Sequence, residues 1–323
     1  MNFLTLLIIF FVLFTIELGY FKLAFKYRII DHPNHRSSHA KITIRGGGMI
    51  FSMALLLSPL YYNWEYGYFL LGLFLISLVS FIDDIKPVSH KIRILFHLTA
   101  AALLFYQTGI FHLPLYWAIL GFIFVIGSIN AVNFMDGING ITGSFGLVTL
   151  STLYYINKSI VVFTAEYFLI LPILGLLVFV FFNFRKKAKC FAGDVGSVSL
   201  GFIVLFFLIE LILKTNNLNY LFLLLVYGLD TISTIIFRII RKENIFEAHR
   251  NHFYQFLVNK KRVPHLVVAG SYTIAQGIVN LIVINILPLS IVNLSLVMVA
   301  TMSAFILIRI NMEGQYEILN VKT

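Results

Sequence analysis

Charge is what this chain has least of: 12% of its 323 residues are Asp, Glu, Lys or Arg, against 59% that are hydrophobic. A water-soluble domain cannot hide that much apolar surface, so lipid has to act as its solvent. Acids are the scarcer sign, 14 against 24 lysines and arginines. There is one cysteine, Cys190, which excludes a disulfide framework and a thiolate metal site; it reads as an incidental loop thiol. No low-complexity tract, internal repeat or soluble linker separates the apolar runs. The first run lacks a basic start and a small-residue cleavage pattern, so a retained helix is expected rather than a signal peptide.

Long apolar runs are what the chain has instead. Each bilayer crossing needs roughly 20 mainly apolar residues, and eleven candidates cover about 2–24, 47–62, 67–82, 91–107, 114–132, 140–156, 162–184, 197–213, 219–240, 265–287 and 289–309. The expected fold is all-α: one polytopic transmembrane domain over residues 1–323, with a site formed by its cytoplasmic loops. With the N-terminus outside and the C-terminus cytoplasmic, every lysine and arginine except Lys158 and Lys214 falls on the inner side, which decides the orientation. The same bias accounts for the net charge of +10 through a surface facing anionic lipid or substrate, with no nucleic acid.

Against that background the acids stand out, because carboxylates at membrane level are costly and are usually kept for a task. Three runs end in them on the inner side: at Asp83-Asp84, within Asn130–Gly143 (NAVNFMDGINGITG), and at Gly193-Asp194. Two adjacent carboxylates repel, so the Asp83-Asp84 pair needs a compensating cation or donors; Lys86, Lys91 and Arg93 follow it. Asn130, Asn133 and Asp136 are spaced by three, which on a helix puts them near one face. Oxygen ligands of this kind suit Mg²⁺, which keeps waters and takes further ligands from substrate phosphates. Asp194 precedes the eighth run, whose N-terminus would favour anionic oxygens. In the first inner loop Gly46-Gly47-Gly48 would let backbone amides approach an anion. In the last, Glu247-Ala-His249-Arg250-Asn-His252-Phe-Tyr254-Gln255 offers two histidines without the third ligand zinc wants, so phosphate or sugar recognition is expected there.

Taken together, the Asp pair, NAVNFMDGING and FAGDVGS resemble the polyprenyl-phosphate N-acetylhexosamine-1-phosphate transferase family, in family order over residues 31–255. The resemblance implies transfer of a sugar phosphate from a UDP-N-acetylhexosamine to a membrane polyprenyl (undecaprenyl) phosphate, with Mg²⁺ or alternatively Mn²⁺. It implies that Asn133 and Asp194 hold the metal with the donor pyrophosphate. Asp83 and Asp84 would be essential carboxylates near the acceptor phosphate, which with Asp194 makes three catalytic acids. Asn139 and the backbone at Gly137 would grip uracil, Asp136 fills a position acidic in many bacterial members, and Arg93 would meet phosphate. His249, Arg250 and His252 would contact donor phosphate and sugar. Asp230 stands where the family has an acid in its ninth span.

The chain departs from many relatives at His249–Gln255, where they carry more histidines, and at Ile42 and Ile44, where prolines are common. This form resembles the bacterial subgroup that initiates O-antigen or capsule-like glycans, some members using 6-deoxy sugars such as UDP-FucNAc. The expected location is the bacterial inner membrane with the site facing the cytoplasm, with a homodimer as the candidate assembly. The competing readings are the phospho-N-acetylmuramoyl-pentapeptide transferase and, from another class, a transporter of an anionic substrate. Transport sites usually lie near the midplane, whereas these polar groups gather at one face.

Overall fold

The computed structural model describes residues 2–31, 42–60, 64–244, 249–285 and 288–314. Among them the chain is almost wholly helical: α1 (Phe3–Lys26), α2 (Met49–Leu56), α3 (Gly67–Ile85), α4 (His90–Thr108), α5 (Leu115–Met135), α6 (Ile141–Ser159), α7 (Glu166–Asn183), α8 (Gly193–Thr215), α9 (Leu225–Ile240), α10 (Phe253–Asn259), α11 (His265–Asn285) and α12 (Ile291–Glu313). Each of the eleven expected runs falls on a helix, and the short α10 is additional. Eight helical segments are long and apolar enough to cross a membrane; α2, α4 and α6 are not among them. The protein is an all-α, multi-pass membrane protein.

The only regular strands among the described residues are two residues each. β1 (Ile30–Asp31) and β2 (Thr43–Ile44) pair antiparallel, Ile30 opposite Ile44. They frame 32–41, which lies outside the described residues together with His32, His35, Arg36 and His39 of the first loop; Glu247 of the last loop lies outside them too.

α8 forms the axis of the bundle, buried along nearly its whole length and packed against α2, α3, α5 and α6. Small residues let its neighbours come close, the usual way membrane helices gain contact where burial alone gives little driving force. A Cβ on Gly196 would fall 2.7 Å from the Gly48 Cα, and one on Gly201 would fall 3.2 Å from the Ile129 Cα. Aromatic rings fill the space further along, with Phe69 stacked on Phe206 at 4.0 Å between centroids.

The ninth run is not one regular helix. Its first part, Leu218–Leu224, is a 3₁₀ helix that passes into α9. Such a change of winding leaves backbone groups without their helical partners, which is unaffordable in lipid unless another group meets them. Gln276 of α11 does so: its Oε1 accepts the Val226 N–H and its Nε2 donates to the Phe222 carbonyl, both at 3.0 Å. At the edge of the bundle α12 buries only Leu294 and Arg309.

Candidate active site

Three helix ends meet at one end of the bundle: the C-termini of α3 and α5 and the N-terminus of α8. Asp84 sits in the last turn of α3 with its side chain fully buried. Its Oδ1 accepts the Asp194 N–H at 2.9 Å and its Oδ2 the Val195 N–H at 3.0 Å. Asp84 therefore closes the N-terminus of α8 from another helix, supplying the anion that the exposed amides and the helix dipole favour. The expectation of an anionic oxygen at this N-terminus holds, with a protein carboxylate in that place. Asp194 lies inside the first turn of α8 rather than in the loop before it.

The close approach depends on Gly193, whose φ of +71° suits glycine and where a Cβ would fall 2.5 Å from the Asp84 Oδ2. The glycine tract at 46–48 serves the same packing. The N–H groups of Gly47 and Gly48 donate to the carbonyls of Phe191 and Ala192 at 2.9 and 3.1 Å, and Phe191 donates back to Ile44 at 2.8 Å. Those two amides are spent on protein and are not the open anion cradle expected from the sequence. Cys190 is no incidental loop thiol either: it is wholly buried, bridges to Ile44 through its backbone, and sets its Sγ 3.8 Å from the Glu17 Oε1.

Two arginines close over the acids. Arg45 Nε lies 2.7 Å from Asp84 Oδ1, and its Nη2 lies 3.6 Å from Asp194 Oδ1. Arg93 Nη1 lies 3.0 Å from Asp83 Oδ2, and its Nη2 lies 3.6 Å from Asp194 Oδ2. Burial alone would pull the Arg45 guanidinium down, but Asp84, Asp194, Asp31 and Asp83 together hold it above its ordinary range. Asp83 also accepts the Val88 N–H at 2.6 Å, which fixes the turn between α3 and α4. Asp194 is thus straddled by both guanidinium groups, with 19% of its side chain still exposed.

α5 contributes from the opposite wall. Asn130 and Asn133 lie in its last turns and Asp136 is the residue just past its end, so the motif marks where a helix stops. Asn133 Oδ1 accepts the Ser197 hydroxyl at 2.6 Å, three residues beyond Asp194 on α8. Asn133 and Asp194 are therefore brought to the same end and the same helix turn. Asp136 Oδ1 accepts the Thr142 hydroxyl at 2.6 Å. Burial first, and then the charge of Asp194, push the Asp136 carboxyl up to about 6.

That shift has a sign that can be measured. Its folded-state value lies above the ordinary 3.8, so the proton contributes stability fully below 3.8 and the contribution is lost as pH rises through about 6. Asp136→Asn keeps an acceptor for Thr142 and removes the cost of ionisation. In EDTA the variant should melt roughly 2–5 °C above wild type at pH 8, the gap closing as pH falls toward 4. A gap that stays constant across this window would refute the burial of a charged Asp136.

The remaining expected residues form a second layer. Asn139 is buried, with its Nδ2 donating to the carbonyls of Arg185 at 2.9 Å and Lys186 at 3.4 Å. Its amide group is committed to the loop between α7 and α8. Gly137 is required by Tyr254, whose Oη would lie 2.2 Å from a Cβ there and donates to the Phe134 carbonyl at 3.0 Å. The last loop is thereby seated on the end of α5. His249 stacks on His252 at 5.0 Å between centroids, with Phe134 at 6.1 and 6.3 Å from them. Burial first, then His252, Arg238 and Arg241, push the His249 imidazole down to about 3, which keeps it neutral. Arg250 is half-buried between the two histidines in sequence.

Asp230 repeats for α10 what Asp84 does for α8. Fully buried, it accepts the Phe253 N–H at 2.9 Å and the Tyr254 N–H at 3.1 Å. Tyr272 donates to it at 2.6 Å and His252 Nδ1 lies 3.3 Å away. Arg45 and Tyr254 were not expected among the site residues. The only signal for Arg45 is its place immediately before the glycine tract; for Tyr254, its place beside His252.

The fold and site define a membrane protein with acids and arginines gathered at one end of an apolar bundle. Residues 66–212 match the family model described as glycosyl transferase family 4, a span that contains Asp83, Asp84, Arg93, Asn133, Asp136 and Asp194. The probable undecaprenyl-phosphate N-acetylglucosaminyl 1-phosphate transferase of Bacillus subtilis (strain 168) is 26% identical, over 73% of this chain and 72% of its own. Over residues 66–212 the chain is similar to glycosyl transferase family 4, and the protein is a transferase.

Proposed function

We propose that the protein transfers an N-acetylhexosamine 1-phosphate from a UDP-sugar to undecaprenyl phosphate at the cytoplasmic face of a bacterial inner membrane. UDP-GlcNAc or a 6-deoxy relative is the donor, and the product starts a lipid-linked surface glycan of the O-antigen or capsule kind. The observation that carries this reading is the meeting of Asp83, Asp84, Asp194 and Asn133 with Arg45 and Arg93 where three helix ends converge. The Bacillus relative's name supports the same acceptor and an N-acetylglucosamine donor.

An oxygen of the acceptor phosphate attacks the sugar-bearing phosphorus of the UDP-sugar; a new P–O bond forms as the bond to UMP breaks, and UMP leaves. A phosphate monoester with a second pKa near ~6 is largely dianionic at neutral pH, so no side chain has to remove a proton from it. A single in-line displacement then needs no phospho-aspartate. The larger barrier is bringing two anions together. Arg45 and Arg93, each 3.6 Å from Asp194, would exchange carboxylate for phosphate oxygens and stabilise the charge on the transferring group.

Four carboxylates (Asp83, Asp84, Asp136 and Asp194) against two guanidinium groups leave a negative excess that suits a divalent cation. Asn133 and Asp194 would hold Mg²⁺ together with the pyrophosphate oxygens, and the ion would supply charge neutralisation there. Asp84 acts by position: it fixes the first turn of α8 and with it Asp194.

The membrane class suits the substrates, since the acceptor tail stays in lipid while its phosphate reaches the headgroup level. Purified protein given undecaprenyl phosphate, Mg²⁺ and a panel of UDP-N-acetylhexosamines should release UMP, not UDP, in step with a lipid-linked sugar diphosphate. Release of UDP would mean glycosyl rather than phosphosugar transfer. No consumption of any donor would remove the reading in favour of transport.

A further inference from the structure

α12 meets lipid along almost all of its surface, and an arginine near the end of such a helix ordinarily reaches out to the headgroups. Arg309 does the opposite. It is 1% exposed, and its donors are all turned inward. Nη1 donates to Ser233 Oγ at 2.9 Å and Thr234 Oγ1 at 2.8 Å. Nη2 donates to the Asn251 carbonyl at 2.7 Å and to Glu313 at 3.3 Å, and Nε donates to Glu313 at 2.6 Å. The guanidinium also lies over the ring of Phe237, 4.9 Å from its centroid. Taking a cation out of water is costly unless its hydrogen bonds are met, and here they are met by α9, by the loop before α10 and by Glu313 of its own helix.

Asn251 is where that arrangement touches the site. It directly precedes His252, and the next two backbone N–H groups are those held by Asp230. Tyr254 then fastens the loop to the Phe134 carbonyl at the end of α5. Arg309 thus grips the loop from one side and Asp230 from the other, with His249, Arg250 and His252 between or beside the two grips.

We propose that Arg309 is a positioning residue for the UDP-sugar: from an otherwise lipid-facing helix it sets the loop that receives the donor. The inference rests on the function proposed above for what that loop binds. The mechanical part, that Arg309 holds the loop, stands apart from it.

The test compares Arg309→Leu, Arg309→Lys and Glu313→Gln with wild type in nanodiscs. Hydrogen exchange is read first, without substrate. In Arg309→Leu the backbone of 249–259 should exchange about tenfold faster while 193–200 stays unchanged, with a smaller effect for Arg309→Lys, which keeps the charge but loses the fork. In turnover the donor KM should rise about tenfold while the acceptor KM and kcat stay within about twofold. Unchanged exchange over 249–259 overturns the proposal, and so does equal acceleration of both segments or equal loss toward both substrates. If the leucine variant fails to fold, Arg309→Lys and Glu313→Gln carry the same readouts. A wild type that turns over no UDP-sugar would sink the proposed function, while the exchange result would still decide Arg309.

Discussion

Asp194→Asn is expected to lower turnover by about a thousandfold or more at ordinary Mg²⁺ while melting no lower than wild type. Loss of activity follows from losing the charged carboxylate whose two oxygens face the two arginines, each at 3.6 Å. Retained stability follows from the neighbourhood. Asp194 stands near Asp83, Asp84 and Asp136, so removing one negative charge relieves repulsion, and an asparagine fits the same space. Carboxylates crowded for a reaction are a common place where function is kept at the expense of stability. The check is a melting curve alongside a UMP-release assay on one preparation. A variant that turns over normally would take Asp194 out of the proposed metal site; one that fails to insert or melts far lower would make it structural.

The second large effect separates two roles for Asp84. Asp84→Ala removes the acceptor for two α8 amides and the partner of Arg45. Turnover should fall by about two to three orders of magnitude through misplacement of Asp194, and the protein should lose roughly 2–4 kcal/mol of stability. Asp84→Asn keeps an acceptor oxygen for the helix end and should recover at least about a tenth of wild-type turnover, with an unchanged pH profile. A general base would behave differently: alanine and asparagine would be equally inactive. Equal inactivity with intact folding would therefore return Asp84 to the chemistry.

Much of this was legible in the sequence because lipid makes polar residues conspicuous. Asp83-Asp84 and NAVNFMDGING close apolar runs and FAGDVGS opens one, and the structure brings all three to one end of the bundle. The fold class followed from the same runs, although α2, α4 and α6 are helices too short or too polar to count as spans on their own. Arg45 was hidden by its company. A loop on the positive side is expected to hold several basic residues, so none is singled out until its carboxylate partners are seen. The glycines at 46–48 carry a packing role where their sequence suggests an anion cradle. Glycine signals close approach of backbone to something, and here that something is a loop more than 140 residues further along the chain. Arg309 was unreadable for a related reason: an arginine near a helix end has an ordinary explanation at the lipid surface, and only its inward contacts override it.

The strand-like seam between 44–48 and 190–196 has a mechanical consequence. Paired amides and carbonyls, with glycine facing glycine at van der Waals limit, rivet the entry of α2 to the head of α8 as one stiff plate. Arg45 and Asp194 ride on that plate together. On the proposed reaction, the opening that admits the donor and releases UMP falls to the walls outside that plate, the start of α4 bearing Arg93 and the segment held by Arg309.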